Sequence, residues 1–91
     1  MIRVGLLGTG RIGRLHAETI ASHSESSLYA VSDIDSGSAN EIAVQYGAAL
    51  KSSEEIISDP NVDAILIATS TDTHSEFIEK ASLAGKAVLC E

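Results

Sequence analysis

Two hydrophobic periods alternate along this chain. Short apolar runs occupy residues 2–7, 28–32, 64–68 and 87–90, with a weaker one at 48–50. Between them, apolar positions recur at helical spacing. Ile12, Leu15, Ala17, Ile20 and Ala21 mark the first such face; Ala39, Ile42, Ala43 and Tyr46 mark the second. His74, Phe77, Ile78, Ala81 and Ala84 mark the last, and Ile56-Ile57 sits in a shorter helical stretch. Serine or threonine stands three residues before a glutamate at Ser38–Glu41, Ser52–Glu55 and Thr73–Glu76, the spacing of a capping box, so each pair predicts a helix start. Gly47 and Gly85 fall where helices stop, and Pro60 closes the short one. The run Ala64-Ile65-Leu66-Ile67-Ala68 is apolar at every position, which suits a strand covered on both faces of a parallel sheet. The predicted order is β-α-β-α-β-α-β-α-β. Parallel neighbours need such crossovers, so the fold class is α/β: a doubly wound, Rossmann-like parallel sheet with strand order 3-2-1-4-5.

Composition narrows the class. In 91 residues, 44% are hydrophobic, enough for one small core but not for two domains. Thirteen acids against six bases leave a net charge of −7, and aromatics are only 3%. Neither a phosphate-backbone surface nor a stacking platform for single strands fits those figures, so no nucleic-acid partner is expected. No apolar run reaches the length of a membrane helix, and the start carries no signal-peptide pattern. Cys90 is alone, which excludes a disulfide framework; a reducing cytoplasm is the expected compartment. The serine-rich stretch 22–27 reads as a surface loop.

The candidate chemistry lies where the first strand meets the first helix. Gly8-Thr9-Gly10-Arg11-Ile12-Gly13 is a G-x-G-x-x-G. Each glycine has its own reason: Gly8 for a tight turn, Gly10 for close approach of a pyrophosphate, Gly13 for close packing of helix on sheet. The helix start then offers free N–H groups and a partial positive charge. Arg11 can reach the same phosphates or simply be solvated. Alone, the pattern also fits a glycine-rich turn without a ligand. Asp33 strengthens it, because it ends the second strand 20 residues after Gly13, where an acid bonds the adenosine ribose hydroxyls. A carboxylate there repels a 2′-phosphate, Asp35 adds a second charge, and no Arg or Lys follows before Lys51. NAD is therefore expected over NADP. Three scattered histidines and one cysteine make no metal site; His16 and His23 read as helix-surface residues, and Cys90 as a small buried hydrophobe.

The stretches 8–16, 32–35 and 85–91 resemble the Gfo/Idh/MocA oxidoreductases, and residues 68–74 are similar to the loop after the fourth strand in their inositol 2-dehydrogenase branch. The resemblance covers the whole chain. It implies a nucleotide-binding domain over residues 1–91, followed in such enzymes by a mixed α/β substrate domain, and hydride transfer from a polyol or sugar CH–OH to NAD. It implies that Thr69, Ser70, Thr71 and His74 lie on the nicotinamide side. Glu91 matches the first residue of a Glu-Lys-Pro motif. The lysine that assists catalysis comes next in the family, so no catalytic residue is assigned within this chain. Ser70-Thr71 departs from the Pro-Asn of commoner members. For His74, plain packing beside Phe77 and Ile78 is the competing reading.

The resemblance leaves a rival: a non-catalytic Rossmann module that senses nucleotide or redox state, since fold does not fix function. A Rossmann enzyme using another cofactor is a second, against which Glu91 speaks. The sheet reaches only its fifth strand, so the chain is expected to be a fragment, inactive by itself. The uncovered edge of strand 87–90 is expected to promote self-association.

Overall fold

The computed structural model describes residues 1–69 and 71–90, residues 71–73 by their backbone only. Nine elements follow the predicted order: β1 (Ile2–Leu7), α1 (Arg11–Ser22), β2 (Ser26–Ser32), α2 (Ser36–Tyr46), β3 (Ala49–Leu50), α3 (Ser53–Ser58), β4 (Ala64–Ile67), α4 (Thr71–Leu83) and β5 (Ala87–Cys90). The sheet is entirely parallel, in the order β3-β2-β1-β4-β5. The order reverses between β1 and β4, which places a crevice at the carboxyl ends of those strands.

Two cores flank the sheet because successive strand residues face opposite ways. Leu6 and Leu66 join Ala17, Ala39 and Ile42 on the side covered by α1 and α2. Leu7, Ile65 and Ile67 join Ile56, Ile57 and Ala81 on the side covered by α3 and α4. This is why β4 is apolar throughout: both of its faces are covered. Among the described residues, no helix is long and apolar enough to cross a membrane.

Several local expectations hold, and several shift. Ser52 and Glu55 form the capping box of α3, each side chain bonding the other residue's backbone N–H. Gly47 ends α2 in the left-handed region at φ 69°. At α2, however, the cap is Asp35, whose carboxylate accepts the N–H of Ser38 at 3.1 Å. Ser38 lies inside the helix, and its hydroxyl turns to the glycine loop instead. α4 begins at Thr71, so Thr73 lies within it rather than capping it.

The face of α1 also differs from the predicted one. Gly13 and Ala17 are buried and Ile20 partly so, whereas Ile12, Leu15 and Ala21 are exposed. The cause is steric. A Cβ on Gly13 would lie 2.1 Å from the carbonyl oxygen of Gly8, so the helix meets the sheet along the line 13, 17, 20. The bulkier residues turn away. Cys90 is exposed rather than buried, because β5 is the outer strand, paired only with β4, and only Val88 of it packs into the core.

Ile65 is fully buried at the centre of β4. Truncating Ile65→Ala is expected to cost about 2–5 kcal/mol. In a domain this small that lowers the melting temperature by about 10 °C or more, measurable by thermal circular dichroism; an unchanged melting curve would contradict this account of the core.

Candidate cofactor-binding site

β1, β2 and β4 all end at one rim of the sheet, and their following loops meet there. Gly8 leaves β1 at φ 103°, a conformation that side chains rarely adopt, with its N–H donating to Ser32 O at 2.8 Å. A Cβ on Gly8 would lie 2.5 Å from the Ala68 carbonyl oxygen, so the turn is pressed against the loop after β4. Gly10 is different. A Cβ there would meet nothing within 4 Å, so the backbone faces open space. Gly10 also precedes α1 without a side-chain cap, and the first turn holds no acidic residue. The N–H groups of that turn are thus available to an anion. Arg11 and Ile12 are exposed beside it.

Asp33 stands across from this loop. Its Oδ2 accepts the backbone N–H of Thr9 at 2.6 Å and the Thr9 hydroxyl at 2.9 Å, and its Oδ1 accepts the N–H of Asp35 at 2.9 Å. Partial burial works against ionisation, but bonds from the Thr9 backbone, the Asp35 backbone, the Thr9 hydroxyl and the Ile34 backbone outweigh it. The carboxyl is held below its ordinary value of 3.8. Asp33 is therefore ionised at neutral pH.

A cleft of about 310 Å³ opens between these parts, with Gly8, Gly10, Asp33, Ala68, Thr69 and Phe77 on its walls. His74 braces one wall. Its Nε2 lies 2.8 Å from the Thr69 carbonyl oxygen, which can only accept, so Nε2–H is the donor. In the neutral imidazole, Nδ1 then accepts from the Cys90 thiol at 3.1 Å. His74 thus ties the loop after β4 to the end of β5.

Of the residues singled out in the sequence, the structure gathers Gly8, Gly10, Asp33 and Thr69 around the cleft, with Arg11, Ile12 and Gly13 at the α1 start and His74 behind Thr69. Thr9 is placed beneath the loop: it is 0% exposed and turned towards Asp33 and Ser38. Ser70, the side chain of Thr71, and Glu91 lie outside the described residues. Sequence reasoning missed two residues. Ser38 Oγ donates to Thr9 O at 3.1 Å; Arg14 reaches Thr9 O through Nε at 3.2 Å and Ser38 Oγ through a terminal nitrogen at 3.1 Å. The Ser38 contacts join residues 24 and 29 positions apart, and the Arg14 contact with Thr9, five positions apart, follows no motif spacing.

These residues fit a dinucleotide: an uncapped helix start, a backbone approach that a side chain at Gly10 would fill, and an ionised carboxylate opposite. A comparison with protein families agrees. Residues 2–91 match the oxidoreductase family GFO_IDH_MocA, described by its NAD-binding Rossmann fold. The chain belongs to this family. It is 41% identical over 90 residues to the inositol 2-dehydrogenase of Rhizobium meliloti, covering 99% of this chain and 27% of that protein. It is 42% identical over 92 residues to the myo-inositol 2-dehydrogenase of Thermotoga maritima, covering 99% and 28%. The chain thus spans little more than a quarter of those relatives' length. Among solved structures, scyllo-inositol dehydrogenase from Lactobacillus casei, with bound NAD(H) and scyllo-inositol, superposes with a TM-score of 0.91 at 26% identity, covering 99% of this chain and 27% of that one. These residues form the NAD-binding Rossmann domain of a Gfo/Idh/MocA oxidoreductase.

Two outcomes separate the glycines. Gly10→Val is expected to leave the circular dichroism melt near wild type while abolishing NAD binding in calorimetry. Gly13→Ala is expected to lower the melt, because its Cβ would press on the Gly8 carbonyl. Equal effects on folding would show that the two positions are not distinguished in this way.

Asp33 also makes a pH prediction. Its folded value lies below the unfolded one, so its contribution is fully present above the unfolded value and lost as pH falls through the folded one. Below about pH 4, stability should therefore decline less steeply in Asp33→Asn than in wild type, as followed by urea unfolding.

Proposed function

We propose that this domain binds NAD for a dehydrogenase that oxidises a secondary alcohol of a polyol or sugar of the inositol type. The observation that carries the cofactor half is the Asp33 carboxylate, pinned at the end of β2 opposite the open backbone at Gly10. In this reading the N–H groups from Gly10 to Gly13 hold the pyrophosphate, with Arg11 beside them. Asp33 accepts a ribose hydroxyl. Thr69, Ser70, Thr71 and His74 form the nicotinamide-side wall, and Glu91 follows at the end of β5. NAD, when bound, supplies the hydride acceptor. This chain's part is to bind it, fix its ribose and brace the wall through the His74 contact with Thr69.

The substrate half rests on the relatives, whose names specify inositols. Groups that handle the substrate and its proton are assigned to portions of those relatives outside this alignment. A reducing cytoplasm suits an NAD-dependent reaction and an exposed Cys90 thiol. Among the described residues no strand pairs with the outer side of β5, and that, with Leu89 exposed and no charge along the strand, supports pairing with a further strand, including that of a second copy.

The expected outcome is that NAD⁺ binds at least tenfold tighter than NADP⁺, about 1.4 kcal/mol, by titration calorimetry. Assayed at the full length of its relatives, the protein should form NADH from myo-inositol or scyllo-inositol. Tighter binding of NADP⁺ would overturn the cofactor assignment. Binding of NAD⁺ without turnover of either inositol, or of other polyols and sugars, would favour a nucleotide-sensing module.

A further inference from the structure

Thr9 sits in a loop that opens to solvent, yet its side chain is fully buried. Its backbone N–H and its hydroxyl both donate to one oxygen, Asp33 Oδ2, at 2.6 and 2.9 Å. An ionised carboxylate can only accept, so the hydroxyl's single proton is committed to that bond. The two lone pairs of Oδ2 are then both used. Oδ1 faces the N–H of Asp35 at 2.9 Å. Turning the carboxylate about its own axis would break all three bonds together.

Thr9 is itself held from behind. Ser38 Oγ lies 3.0 Å from Thr9 Oγ1 and 3.1 Å from Thr9 O, and Arg14 donates to both Thr9 O and Ser38 Oγ. Arg14 in turn pairs with Glu41 at 3.2 Å. The lock on Asp33 is therefore anchored to both α1 and α2, rather than to the loop alone.

We propose that Thr9 determines cofactor specificity: by fixing the Asp33 carboxylate it leaves Oδ1 for a ribose hydroxyl and prevents the negative charge from swinging away from a 2′-phosphate. Thr9 touches no cofactor; it acts through Asp33. An acid free to rotate could retreat and admit NADP, whereas one held by the Thr9 hydroxyl and by the backbone N–H groups of Thr9, Asp35 and Ile34 cannot. The inference rests on the reading of Asp33 as the ribose-binding acid.

The test uses the protein at the full length of its relatives, titrated calorimetrically with NAD⁺ and NADP⁺. Thr9→Val keeps the shape and removes the hydroxyl donor; Thr9→Ala does so at smaller size, should valine fail to fold. The ratio of NAD⁺ to NADP⁺ affinity is expected to fall about tenfold, the usual weight of one charge-assisted hydrogen bond. Thr9→Ser is expected to restore it. A second readout needs no ligand: NMR titration of the Asp33 carboxyl should show a higher midpoint in Thr9→Val or Thr9→Ala than in wild type. A folded hydroxyl-less variant with an unchanged affinity ratio, or with an unchanged midpoint, overturns the proposal. Asp33→Ser separates the two levels. If it leaves the ratio unchanged, the underlying reading of Asp33 fails. If it collapses the ratio while Thr9→Val does not, only the role of Thr9 fails.

Discussion

A glycine loop can receive a pyrophosphate only if its N–H groups already point outward, and glycine is the residue least able to hold itself in one conformation. The rest of this site depends on the bond that solves that problem, from Thr9 to Asp33. It crosses from the β1–α1 loop to the end of β2, so the position of the loop is set by the sheet rather than by its own flexible backbone. The same bond lowers the Asp33 carboxyl's pKa and holds the side chain in place. Loop geometry and the placement of that charge are thus one constraint.

Around that bond the fold is organised by close approach. Gly8 is pressed against Ala68, and Gly13 against Gly8. These contacts bring α1 down onto the rim and leave Gly10 as the glycine of the motif with open space beside it. Three identical residues in one short motif therefore have three different surroundings: a turn at positive φ, open space and close helix packing.

The chain order and sheet topology were legible because two periods alternate cleanly and β4 is apolar throughout. The capping box at Ser52 and the stop at Gly47 were legible because each depends on residues within one turn. What was not legible depends on distances that cross the fold. The face of α1 is decided by a backbone contact between Gly13 and Gly8, so the larger apolar residues Ile12 and Leu15 point outward against their periodicity. Spacing to Glu41 marks Ser38 as the cap of α2, but Asp35 caps it, and the Ser38 hydroxyl is engaged by Thr9 and Arg14 across the fold instead. Cys90 reads as buried because its run is apolar, but an outer strand has a partner on one side only. In the candidate site, Gly8, Gly10 and Asp33 were visible from motif spacing, whereas the inward turn of Thr9 and the support from Ser38 and Arg14 were not.

The central claim is that the Thr9–Asp33 bond presents a preformed site for NAD. A crystal structure of the protein with NAD bound tests it most directly. The account predicts the pyrophosphate against the N–H groups at the start of α1, a ribose hydroxyl on Asp33 Oδ1, and both Thr9 bonds to Oδ2 unchanged. A structure in which Asp33 has left Thr9 to meet the ribose, or in which the dinucleotide lies away from Gly10, would contradict it.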